Sequence, residues 1–227
     1  MTWAENLFDF YNSLQPPLHL PPGISWLYPQ KEESVLKVVK DFLYKYYDDK
    51  NERTLLLGIN PGRYGAGVTG VNFTAPKQLT EELKIPHPFK QQSELSAEFI
   101  YKMINKFGGP DAFFGKYFIT SVCPLGFVEK GKNINYYDNK ELMKVTEPFI
   151  IDNISKQAGF NINHKKCFCI GGEKNYKFLS ALNSRHQWFK EIIPLAHPRF
   201  IMQYKRKLLE EYVDEYVTLL SDCSLST

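Results

Sequence analysis

Cysteine is scarce. The four thiols stand at Cys123, Cys167, Cys169 and Cys223 in a chain of 227 residues, too few and too irregular for a disulfide framework. Cys167 and Cys169 alternate within an apolar run, which on a strand points them to opposite faces, so no zinc or iron–sulfur spacing survives and small buried hydrophobes are the default reading. His19, His87, His164 and His186 give no ligand spacing either, so neither a metal nor a cofactor is expected. Long apolar runs are missing as well. No stretch approaches the ~20 uncharged residues of a membrane-spanning helix, and the N-terminus carries Glu5 where a signal peptide places lysines, which predicts a cytoplasmic protein. Charge of one sign is not in excess: the net charge of +3 is too mild to announce a nucleic-acid partner by itself. Aromatic residues, in contrast, are plentiful. The 17 Phe, 14 Tyr and 3 Trp exclude a disordered chain, and the length suits one domain with a real core.

Along the chain, apolar periodicity alternates with short buried runs. Thr2 to Glu5 forms a capping box, and Trp3, Leu7, Phe10 and Leu14 follow at helical spacing before a proline-rich connector through Pro29. A second amphipathic helix runs from about Glu32 to Tyr46. Four strands are predicted at Thr54–Ile59, Tyr117–Val122, Lys166–Ile170 and Ile192–Ala196, the last at an edge because Pro194 cannot donate to a ladder. Helices are predicted over Ser96–Phe107, Asp138–Val145, from an N-cap at Thr146 to Gly159, Glu173–Leu182, and a final stripe from Leu208 to Leu220 whose basic first turns follow His197. Alternation of this kind implies an α/β fold: a three-layer α/β/α domain over residues 1–227 with a central, mostly parallel four-stranded sheet, residues 1–50 packing on it as an embellishment.

In open parallel sheets ligands bind beyond the carboxyl ends of the strands. Three unusual segments begin where a predicted strand stops: Gly58-Ile59-Asn60-Pro61-Gly62, Ser121-Val122-Cys123-Pro124-Leu125, and Ala196-His197-Pro198-Arg199. They are expected to share one edge. Gly65-Ala66-Gly67-Val68-Thr69-Gly70 spells a dinucleotide fingerprint, but the strand ends several residues before it and Val71–Pro76 opens no helix, so nicotinamide or flavin binding is set aside.

Read as one loop, Gly58 through Gly65 and on to Thr69-Gly70-Val71-Asn72-Phe73 resembles the first motif of the uracil-DNA glycosylase superfamily, and most of all its single-strand-selective monofunctional branch. Cys123-Pro124-Leu125 matches the middle of a further family segment, and His197-Pro198 the start of the second motif. The resemblance implies a metal-free monofunctional enzyme, expected as a monomer, that everts a base from DNA and hydrolyses its N-glycosidic bond to leave an abasic site. On the same grounds Asn60 resembles the residue that positions water and His197 the donor to the uracil O2, with the Ile59 amide aimed at the same oxygen. Phe73 resembles the ring on which the base stacks, and Tyr64 accompanies it in the binding loop. Gly62 stands where strict uracil enzymes of the superfamily carry a tyrosine that shuts out a 5-methyl group, which implies tolerance of bases such as 5-hydroxymethyluracil.

Two features depart from the family pattern. Ser121 replaces the asparagine that reads the pyrimidine edge, which shifts the expected range toward xanthine or hypoxanthine. The second motif continues as Arg199-Phe200-Ile201-Met202-Gln203, in which Arg199, Phe200 and Ile201 are candidates for the wedge that fills the gap left by an everted base, while Lys205, Arg206 and Lys207 neutralise phosphates. The bland alternatives are a turn at Asn60-Pro61-Gly62, a capped loop at His197, core roles for Phe73 and Tyr64, and a hydroxyl at Ser121 that caps its own strand. At the level of function the rival is a non-catalytic nucleic-acid-binding module of the same fold.

Overall fold

The computed structural model describes residues 1–223. The chain starts as read: Thr2 accepts from the Glu5 amide, Glu5 answers at the Thr2 amide, and α1 (Trp3–Asn12) follows. The proline-rich connector is not extended chain alone: it holds a short strand, β1 (Ile24–Leu27). Next come α2 (Glu33–Tyr46), β2 (Thr54–Gly58), two short helices α3 (Ala66–Thr69) and α4 (Pro76–Glu81), then α5 (Leu95–Phe107) and α6 (Pro110–Phe114). The middle of the chain supplies β3 (Tyr117–Ser121), a hairpin of β4 (Gly126–Glu129) and β5 (Lys132–Ile134), and α7 (Lys140–Ala158). It closes with β6 (Lys166–Ile170), α8 (Gly172–His186), β7 (Glu191–Leu195), α9 (Pro198–Tyr204) and α10 (Leu209–Cys223).

The central sheet is parallel throughout, in the order β3-β2-β6-β7. Leu55, Leu56 and Leu57 on β2 are all fully buried, which requires a helix layer on each face because successive side chains point to opposite sides. The expected α/β architecture with flanking helices is what forms. β7 is the edge strand that Pro194 demanded.

Four details differ from the sequence reading. A second, antiparallel sheet of order β1-β4-β5 joins the connector to the hairpin after β3. Its turn, Lys130-Gly131, has positive φ at both residues, the geometry that suits a tight hairpin. Thr146 caps nothing: α7 runs unbroken through Pro148 from an Asn139 cap, and the Thr146 hydroxyl donates to the Leu142 carbonyl instead. The basic C-terminal stripe divides into α9, a 3-10 turn at Arg206–Leu208 and α10, leaving Leu208 exposed while Val213, Tyr216 and Leu220 are buried. Finally, the glycine string 65–70 does hold one helical turn, α3, and a helix does open at Pro76. Gly70 ends α3 with φ +73°, where a Cβ would strike Val35 and Val39 on α2, so these glycines serve turn and packing.

Beneath the sheet lies a buried cation. Arg53 is fully enclosed, its guanidinium 4.7 Å from the Tyr47 ring and 5.3 Å from Trp3. Asp49 receives two of its N–H groups at 2.7 Å each, and the carbonyls of Phe114 and Tyr46 accept others. The guanidinium holds the Asp49 carboxyl below the usual carboxylate range. Truncation would leave a void among aromatic rings and strip partners from Asp49 and two carbonyls. Arg53→Ala is therefore expected to lower the unfolding free energy in urea by about 3–5 kcal/mol, and a loss under about 1 kcal/mol contradicts this reading of the cluster.

Candidate active site

The three chain segments singled out at strand ends meet around one cavity of about 850 Å³. Ile59, Asn60 and Gly62 reach it from the end of β2, Ser121 from β3, and Ala196 and His197 from β7. Phe73, Tyr64, Arg199 and Phe200 also line it. The backbone knits the first two tips together beyond the strands proper, since Val122 N donates to Gly58 O and Cys123 N to Ile59 O.

Asn60 is clamped. Its Nδ2 donates to the Ile134 carbonyl at 3.3 Å and its Oδ1 accepts from the Tyr136 amide at 3.1 Å. A carbonyl can only accept and an amide N–H can only donate, so this pair of partners fixes which way the carboxamide faces. Tyr136 is itself buried, with its hydroxyl donating to Asn175 at 2.6 Å.

His197 caps α9. Its Nδ1 accepts from the Arg199 amide at 3.1 Å, so the proton of the neutral ring sits on Nε2 and that nitrogen is a donor. Burial, seconded by the Arg199 charge, pulls the imidazole down to about 4, which keeps it neutral at physiological pH. The ring lies 6.3 Å from that of Phe73 at 47°. Phe73 adopts φ +52°, sparsely populated for a non-glycine residue, and a Cβ at Gly58 would come within 2.7 Å of its ring.

The remaining candidates divide. Ser121 is buried and donates to Asn72 Oδ1 at 2.9 Å, so it does not merely cap its own strand. Tyr64 is exposed on the rim, stacked under the Arg63 guanidinium at 4.6 Å. Arg199 and Phe200 are exposed, but Ile201 is fully buried between α9 and the body, which removes it from the wedge candidates because a packed core side chain cannot enter a base stack. Lys205 and Arg206 lie outside the cavity on the exposed surface beyond α9. Sequence reading missed Asn72, the Ile134–Tyr136 clamp, and Tyr204, which is exposed beside Phe200 with ring centroids 5.7 Å apart. Only the hairpin announced itself, through Lys130-Gly131 between two runs of strand-forming residues.

Burial pushes the thiols of Cys123 and Cys169 up to about 12, as befits inert core residues, and Cys167 is buried too; the Cys223 side chain lies outside the described residues. Among the described residues no cluster of three or more His, Cys, Asp or Glu could hold a metal, and no helix is long and apolar enough to cross a membrane.

A model of the uracil DNA glycosylase superfamily matches residues 44–221. The chain belongs to that superfamily. It is also similar to a solved structure, the crystal structure of wild-type Pedobacter heparinus SMUG2, at 45% identity with a TM-score of 0.96, the match covering all of both chains. The family read from the loop at 58–73 is borne out, and with it a DNA glycosylase, a hydrolase that acts on DNA.

The cap geometry has a direct spectroscopic consequence. In nitrogen-detected NMR, His197 is expected as the Nε2–H tautomer from pH 8 down to about 5, protonating only near 4. Because the folded value lies below that of the unfolded ring, the unfolded chain binds the proton first, so this site lowers stability as pH falls from 6.5 toward 4. Titration near 6.5, or an Nδ1–H tautomer, contradicts the assignment.

Proposed function

We propose that the protein is a monofunctional glycosylase for uracil and related deaminated or oxidised bases in DNA, acting as a monomer without metal or cofactor. The observation that carries this reading is a neutral Nε2–H donor at His197 and an oriented carboxamide at Asn60 lining one cavity.

The bond to be broken joins the sugar C1′ to a base nitrogen, and it yields when negative charge spreads onto the leaving base. His197 donates from Nε2 to the pyrimidine O2, joined there by the Ile59 amide, and both are in place before the charge develops. A neutral imidazole suits this task because it strengthens its hydrogen bond as the oxygen becomes anionic without having to lose a proton. Asn60 keeps one lone pair of Oδ1 free of the Tyr136 amide, and that acceptor orients the water that adds to C1′. A carboxamide is a poor base, so most of the rate comes from stabilising the departing anion. Phe73 supplies the stacking face. The described residues lining the cavity include no lysine, which supports hydrolysis by water and argues against an imine and strand cleavage.

Two features favour a range wider than uracil. Gly62 presents no side chain to the cavity, and Ser121 stands where a larger amide would fill space, so 5-hydroxymethyluracil and xanthine are the additional substrates proposed. Arg199 and Phe200, exposed on the rim, are the residues proposed to enter the gap, with Lys205 and Arg206 on the phosphates.

Incubation with single- and double-stranded oligonucleotides carrying each base, then alkali to reveal abasic sites, tests this. Wild type is expected to yield product with uracil. His197→Ala is expected to lose about 10²–10³-fold in single-turnover rate, as for removal of one oxyanion donor, and Asn60→Ala a further measurable fraction of the rate. Specific binding without product in any context would support the binding-module reading instead.

A further inference from the structure

Asn72 stands in the cavity wall between the Phe73 turn and the tip of β3. Its Oδ1 accepts from Ser121 Oγ at 2.9 Å. Tyr11, from α1, lines a small internal void together with Asn72, is buried, and is held by that burial well above the ordinary tyrosine range.

A serine hydroxyl has one proton and two acceptor positions. With its proton committed to Asn72, Ser121 faces the cavity with lone pairs alone. The complementary base edge is one that carries a ring N–H, as uracil and the hydroxypurines do. Cytosine has an unprotonated ring nitrogen at that place, and lone pair would meet lone pair. A freely turning hydroxyl would donate to cytosine as readily as it accepts from uracil.

We propose that Asn72 is a positioning residue for base selection: by holding the Ser121 proton it makes Ser121 an obligate acceptor, so that the cavity selects bases with a ring N–H over cytosine. This rests on the glycosylase reading above and adds to it a residue that acts through another.

The test is binding to single-stranded oligonucleotides carrying either 2′-fluoro-2′-deoxyuridine, whose glycosidic bond resists hydrolysis, or 2′-fluoro-2′-deoxycytidine, measured by fluorescence anisotropy on the full chain. The readout is the ratio of the two affinities, which a general loosening of the fold leaves unchanged because it weakens both. Wild type is expected to prefer the uracil oligonucleotide. Asn72→Ala is expected to reduce that preference about fivefold, the effect of one neutral hydrogen bond. Asn72→Asp, which still accepts the Ser121 proton, is expected to retain it. In a Ser121→Ala background Asn72→Ala is expected to change nothing further, since the residue it acts through is gone. The proposal is overturned if Asn72→Ala leaves the ratio as in wild type, if Asn72→Asp loses it equally, or if the drop persists without Ser121. Wild type that binds the two oligonucleotides equally would instead remove the reading of the cavity as a uracil site, and the proposal with it.

Discussion

Parallel pairing brings the ends of four strands to one level, and the chemistry rests on that constraint. Gly58 is in register with Ser121 on one side of β2, Leu57 with Cys169 on the other, and Ile170 with Leu195 at the edge. Each strand releases its chain at the same border, so Asn60, Ser121 and His197, separated by as much as 137 positions in sequence, lie no more than two residues past their strands and line a common cavity. Fully buried leucines on β2 hold that border rigid, because any slip of register would press each into a close-packed space shaped for a different side chain. The catalytic reading therefore draws its precision from core packing rather than from the loops themselves.

Rigidity of the strand ends does not by itself orient the Asn60 carboxamide. The small antiparallel sheet answers this need. Its last strand, β5, and the residues after it present one acceptor, Ile134 O, and one donor, Tyr136 N, to Asn60, and the buried Tyr136 hydroxyl is tied in turn to Asn175, whose Nδ2 reaches the Gly58 carbonyl at 3.4 Å. The two sheets are coupled through the very residue proposed to hold water. On the opposite wall, the strained φ of Phe73 and the missing Cβ of Gly58 are one device, since the ring occupies the space that any side chain at 58 would fill.

Much of this was legible in the sequence because it depends on local rules. The capping box at Thr2, the continuous apolar run of β2 and the edge position forced by Pro194 are each statements about a few neighbouring residues. The motif loops were readable because chemistry restricts residue type more tightly than packing does. What escaped were features settled by distant partners. β1 counts as a strand because β4 pairs with it, and nothing in its own four residues specifies that partner. Pro148 reads as a helix start, yet α7 absorbs it and begins at Lys140 behind the Asn139 cap instead. Ile201 reads like its neighbours Arg199 and Phe200 along the chain, and only the helical rotation of α9 turns it inward. Asn72 carries no local signal of its own, and only its hydrogen bond from Ser121, 49 positions away, marks it.

The central claim is that three strand tips form one site for a single base. Titration of free uracil into the ¹⁵N-labelled protein measures it most directly. The account predicts that the backbone amides of Ile59, Ser121 and His197 shift together along one saturation curve, with the His197 Nε2–H resonance moving to low field. Shifts confined to one tip, shifts that saturate at different concentrations, or shifts elsewhere on the surface would contradict it.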